Sequence, residues 1–130
     1  MYKGWNGRDE EWDGSVFDAI STVSFKVNPD AVDMFDQYLA QCKTEGVRVV
    51  MVFAPIYIGV TEKMESPQEM FDYYQSFADK YGFQVLNYTY DSICYDTANF
   101  YNATHLNRNG AELFSRKLAI DLKQKYYSKL

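Results

Sequence analysis

The chain has 130 residues, of which 47% are apolar and 24% charged, and its formal net charge is -5. That length fits one domain, and that balance fits a folded globular chain rather than a disordered tail. The negative charge argues against nucleic acid, whose binding is dominated by cationic contacts to phosphate, and no apolar run approaches the roughly 20 residues of a transmembrane segment.

Residues 1–28 read as an irregular arm, rich in Gly, Asp and Trp in its first half. Within it, Thr22-Val-Ser-Phe-Lys-Val27 alternates polar and apolar residues, which suits a short half-buried strand or an extended lead-in to the next helix. Asn28-Pro29 opens a helix, with Asn as N-cap and Pro at the first helical position. Val32, Phe35, Leu39 and Cys42 recur at spacings of three and four and form one apolar stripe. Gly46 ends that helix. Val47-Arg-Val-Val-Met-Val-Phe-Ala54 is a nearly continuous apolar run, the pattern of a parallel strand buried on both faces, and Pro55 stops it.

Ser66-Pro67-Gln68-Glu69 has the form of a capping box. Met70, Tyr74, Phe77 and Tyr81 make a second stripe, which Gly82 closes. Phe83–Asn87 is a shorter strand. A loop of about 20 residues is expected to follow and to end at His105. A last helix then runs from about Arg108 to Tyr126, with Ala111, Phe114, Leu118, Leu122 and Tyr126 facing inward. Asn107 is the expected N-cap of that helix, and Gly110 is expected to permit close packing at its start. Right-handed crossovers make the two main strands parallel, with helices on both faces. Two parallel strands are too few for a stable open sheet, so the chain is expected to self-associate or to dock with an N-terminal half.

The two cysteines are too few for a disulfide framework. Cys42 is expected in the core, and Cys94, in a loop, nearer the surface. With one His and no Cys-x-x-Cys, no metal site and no cofactor is predicted. Aromatic residues are abundant, with 12 Tyr, 9 Phe and 2 Trp. They suit a Tyr-rich core and shell. A flat binding surface around Trp5 and Trp12 is the sharper reading.

The single histidine lies in Asn102-Ala-Thr-His105-Leu-Asn107, with Gly110 following and an amphipathic helix after it. This block resembles the closing motif of the SGNH (GDSL-type) hydrolases, Asp-x-x-His followed by Leu-Asn and then Gly. The order of elements over residues 30–125 is similar to the later half of that fold. The likeness extends to bacterial SGNH-like proteins tied to cell-surface polysaccharide acylation.

The resemblance implies a three-layer α/β/α fold with a flavodoxin-like parallel sheet, of which residues 29–130 would be the incomplete C-terminal portion. It implies an ester hydrolase or acyl-transfer domain acting on an ester or acylated glycan. His105 would be the general base and Asn102 would stand in the acid position. Asp96 in the same loop is a substitute acid. Ser15, in Asp13-Gly14-Ser15, is a scrambled echo of the family's Gly-Asp-Ser nucleophile block; otherwise the serine is expected upstream. Taken alone, the chain, whose first residues show no signal-peptide core, is expected in the cytoplasm, whereas the resemblance implies the cell envelope or periplasm. The alternative is a non-catalytic α/β module that binds glycan or a protein partner through its Trp/Tyr surface. A flavodoxin-like phosphate-binding domain fits less well, because no Gly-rich loop follows either strand.

Overall fold

The computed structural model describes residues 7–15, 17 and 21–126, the last by its backbone alone. Trp5 and the side chain of Tyr126, both singled out above, lie outside the described residues. The elements are α1 (Pro29–Thr44), β1 (Val50–Phe53), α2 (Ile58–Glu62), α3 (Pro67–Tyr81), β2 (Gln84–Asn87), β3 (Phe100–Asn102), β4 (His105–Leu106) and α4 (Arg108–Tyr126). The fold is mixed α/β, with one two-stranded parallel sheet and one short antiparallel pair. Two compact units divide the chain. One comprises Ser21–Ala54 and Thr61–Tyr88. The other comprises the described residues of Met1–Ile20, with Pro55–Val60 and Thr89–Leu130.

In the first of these units, Asn28 caps α1 through its side-chain oxygen, which accepts from the N–H groups of Asp30 and Ala31. Gly46, at φ 71°, ends the helix in the left-handed conformation that glycine adopts without a Cβ penalty. Of the predicted stripe, Leu39 and Cys42 are buried and Val32 and Phe35 half-buried. Helix α3 starts at Pro67 as expected, yet Ser66 makes no side-chain capping bond. Its backbone, at φ -148° and ψ 69°, does not present the hydroxyl to the helix, so the capping box is a sequence pattern without the contact.

β1 and β2 pair in parallel, in the register Val50↔Gln84 to Phe53↔Asn87. Helix α3 packs on β2, and α1 packs on α3. The Phe53 ring lies 4.9 Å from Phe71 and 5.5 Å from Tyr74 of α3. Fully burying a phenylalanine stabilises by roughly 1.5–3 kcal/mol, and half-buried Phe53 gains a part of that. β1 is not buried on both faces: Val52 remains 38% exposed. Among the described residues β1 pairs with β2 alone, so the layers that would cover a central parallel strand are not all present. Asp36 of α1 accepts bonds from Lys80 (2.8 Å) and from the Tyr81 hydroxyl (2.7 Å) of α3. The segment 22–27 forms a single parallel bridge, Val23↔Met64, rather than a strand.

In the other unit the predicted loop before His105 is largely structured. Two 3-10 turns, Ser92–Tyr95 and Thr97–Asn99, precede β3, which pairs antiparallel with β4. The first turn carries Ile93 and Cys94 into the core, so Cys94 is fully buried rather than near the surface. Burial pushes its thiol pKa up, which makes it an inert core residue. Phe100 is also fully buried. Helix α4 packs on both 3-10 turns and on β4, with Ala111, Phe114, Leu118 and Leu122 half-buried. Among the described residues no helix is long and apolar enough to cross a membrane.

Candidate functional site

His105 begins β4, across the β3–β4 pair from Asn102. The intervening Ala103-Thr104 forms a tight turn because Asn102 Oδ1 accepts the backbone N–H of Thr104 at 3.0 Å. Asn side chains favour such local bonds to the backbone two residues on. The same oxygen lies 2.9 Å from His105 Nδ1. The Thr104 hydroxyl lies 2.9 Å from Nδ1 and 3.3 Å from Asn102 Oδ1.

This triangle fixes the tautomer. The Thr104 N–H can only donate, so the Asn102 atom it meets is the carbonyl oxygen and not the amide nitrogen. That oxygen can only accept. The bond to Nδ1 therefore requires Nδ1 to carry the proton, and Thr104 Oγ1 supplies a second acceptor for it. In the neutral ring Nε2 then keeps the lone pair. Among the described residues nothing hydrogen-bonds Nε2, and the residue is exposed. The Tyr101 ring lies 5.5 Å from the imidazole, and the Arg8 guanidinium lies 5.8 Å from the Tyr101 ring.

Beside this pair is a cleft of about 440 Å³ lined by Trp12, Ser15, Phe17, Tyr101, Asn102 and Thr104. Residues 7–15 reach it because they are tied down. The Trp12 N–H donates to Phe100 O at 2.8 Å, and the Arg108 N–H donates to Arg8 O at 2.6 Å. Asp9 forms an ion pair with Arg108. Trp12 is no free surface: it is half-buried, its indole N–H donates to Ser15 O, and its ring stands edge-on to Phe17 and Tyr57 at 6.0 and 5.2 Å.

Of the residues singled out in the sequence, Asn102 and His105 are in hydrogen-bond contact, and Ser15 lines the same cleft as Asn102. The Ser15 backbone N–H donates to Asp13 Oδ1 at 2.8 Å, and the neighbouring Ser15 side chain and N–H hold the Asp13 carboxyl below its ordinary range. Asp96 caps the second 3-10 turn by accepting from the Ala98 N–H at 3.0 Å, and it makes no bond to His105. Thr104, Tyr101 and Arg8 were not legible as site residues. Thr104 has a weak signal in the Asn-x-Thr turn, whereas Arg8 has none, because only the fold brings the arm to β3.

Asn107 holds this region in place. It is 3% exposed. Its oxygen accepts the Gly110 N–H at 3.0 Å, capping α4 as expected, and its amide donates to Ala98 O at 2.7 Å and Phe100 O at 3.3 Å. Among the described residues no cluster of three or more His, Cys, Asp or Glu could hold a metal ion.

Comparison of the chain with protein-family models, with curated proteins and with solved structures gives no match.

Proposed function

We propose that His105 is the general base of an SGNH (GDSL-type) ester hydrolase or acyl-transfer site, with Asn102 in the place of the acid. The observation that carries this reading is the 2.9 Å contact from Asn102 Oδ1 to His105 Nδ1. In a serine triad the acid occupies that position, sets the tautomer and leaves Nε2 to take the serine proton. The serine oxygen then attacks the ester carbonyl, and the proton passes from Nε2 to the departing alcohol. An amide orients the ring but does not compensate the imidazolium charge, so turnover is expected to be slow.

The nucleophile on this reading is Ser15, which lines the same cleft, or a serine outside the described residues. The wider reading is a three-layer α/β/α fold in which β1 and β2 belong to a larger flavodoxin-like sheet, completed by a second copy of the chain or by an N-terminal half. Its substrate class is an ester or acylated glycan, with Trp12, Phe17 and Tyr101 as the apolar wall of the cleft.

That same aromatic wall favours a second reading, a non-catalytic module that binds glycan or a protein partner. Labelling with a fluorophosphonate probe, read by intact mass, separates the two. A single adduct that disappears in His105→Ala supports the hydrolase. No adduct, together with weaker glycan binding in Trp12→Ala, supports the module. An adduct that persists in His105→Ala overturns His105 as base.

A further inference from the structure

The site lacks the carboxylate that a triad acid supplies, yet His105 Nδ1 faces two oxygens and not one. Asn102 Oδ1 and Thr104 Oγ1 each lie 2.9 Å from it. An ionised carboxylate brings both of its oxygens on one side chain, and both only accept. Here the two oxygens come from neighbouring side chains, and each needs its polarity fixed by another contact.

For Asn102 that contact is the Thr104 backbone N–H, which donates to Oδ1 at 3.0 Å and so identifies the end of the amide that meets the ring as its carbonyl. For Thr104 it is the same Oδ1, 3.3 Å from the hydroxyl. That oxygen only accepts, so the hydroxyl proton turns to Asn102 and leaves a lone pair for Nδ1–H. In the opposite arrangement the hydroxyl donates to a bare Nδ1. The Nδ1 lone pair then faces the Asn102 oxygen at 2.9 Å with no proton between them, a contact that repels. The Tyr101 ring, 5.5 Å from the imidazole and tilted 31° to it, packs beside the ring.

We propose that Thr104 is a positioning residue, whose hydroxyl completes with Asn102 Oδ1 a two-oxygen acceptor in the place of a carboxylate. It acts through His105. It helps to keep the proton on Nδ1 and the lone pair on Nε2, and it meets the imidazolium N–H with a second dipole once Nε2 is protonated. The pair reproduces the geometry of a carboxylate and not its charge. The consequence for turnover rests on the hydrolase reading, whereas the consequence for the tautomer does not.

His105 is the only histidine of the chain, so long-range proton–nitrogen NMR correlation of the full chain reads its two ring nitrogens without ambiguity. Free histidine in water favours the Nε2–H form. At a pH where the ring is neutral, the wild type is expected to hold mainly Nδ1–H. Thr104→Val keeps the branched shape and removes the hydroxyl. It is expected to lower the ratio of Nδ1–H to Nε2–H at least about threefold, and Thr104→Ser to restore it. Turnover of a p-nitrophenyl ester should follow the same order. In the Asn102→Asp background the carboxylate supplies both oxygens itself, so Thr104→Val should cost less there than in the wild type.

A wild-type ring held mainly as Nε2–H overturns the proposal, as does a tautomer ratio that Thr104→Val leaves unchanged. A loss that Thr104→Ser fails to restore also overturns it, and leaves Thr104 as a residue of the turn alone. A tautomer shift that Ser restores, in a chain of which no variant hydrolyses the ester, upholds the positioning role and removes the hydrolase reading.

Discussion

The carbonyl oxygen of Asn99 lies so close to Gly110 that a Cβ at that position would overlap it. Leu106 Cδ2 would be only 2.9 Å away as well. Gly110 sits in the first turn of α4, where alanine would ordinarily stabilise by about 1 kcal/mol. Here the clash decides the sign, because a backbone carbonyl cannot swing aside as a side chain can. Gly110→Ala is expected to destabilise by about 1–3 kcal/mol, read as a lower denaturant midpoint at unchanged slope. A midpoint equal to or above the wild type would show that the helix start has room to move.

Asn107 gives a second prediction at the same junction. It caps α4 with its oxygen, and its nitrogen donates to the carbonyls of Ala98, Phe100 and, at 3.4 Å, Glu10. Asn107→Ala removes the cap and leaves buried carbonyls without that donor, at an expected cost of about 1–3 kcal/mol. Asn107→Asp tests which role matters more. It keeps a capping oxygen but places a carboxylate against Ala98 O and Phe100 O. If the donor role dominates, the Asp variant is no more stable than the Ala variant at pH 7 and recovers part of the loss on acidification. An Asp variant as stable as the wild type would leave only the cap.

How far these features were legible depends on the range of the contacts that make them. The bounds of α1 follow from Asn28-Pro29 and Gly46, whose roles are local. The Asn102–His105 contact spans three residues and matches the pairing that the family resemblance implies. The β3–β4 pair was not legible, because three residues facing two give no period to read. Cys94 was misplaced for a similar reason: Asp91 accepts the Ile93 N–H and winds a 3-10 turn that buries its own apolar residues. The Arg8 and Trp12 contacts join residues more than 80 positions apart, and no local pattern encodes them.

Acid should destabilise the protein through Asp91. Its side chain is only 8% exposed and lies 2.5 Å from Lys117 Nζ. Burial is the largest influence on this carboxyl and opposes its charge. The bonds from Lys117 and the Ile93 N–H together outweigh it and hold the pKa below the ordinary value. A depressed native pKa means that the unfolded state binds the proton more readily. The stabilisation is therefore complete above the unfolded value near pH 4 and is lost as pH falls through the native one. Asp91→Asn should flatten the fall in melting temperature below about pH 4. Asp36, whose carboxyl is lowered mainly by its bond from Lys80, contributes in the same direction, so the flattening is partial. An unchanged acid limb in Asp91→Asn would remove this pair from the account.

The sharpest test of the catalytic reading is a gain rather than a loss. Asn102→Asp keeps the Thr104 N–H bond, since a carboxylate oxygen accepts as the amide oxygen does, and it keeps Nδ1–H as donor. What changes is the charge facing the imidazolium once Nε2 has taken a proton. In serine proteases the reverse change, Asp to Asn, costs about 10⁴ in kcat. The imidazole here is exposed, and water screens much of that charge, so the expected gain is a smaller part of that factor. Hydrolysis of a p-nitrophenyl ester should rise in Asn102→Asp and fall to background in the double variant with His105→Ala. The double variant matters because the new carboxylate could act by itself on a reactive ester. If Asn102→Asp leaves turnover unchanged while the fold stays intact, the Asn102–His105 contact is a structural clasp of the β3–β4 turn, and the aromatic cleft beside it becomes the place to look for function.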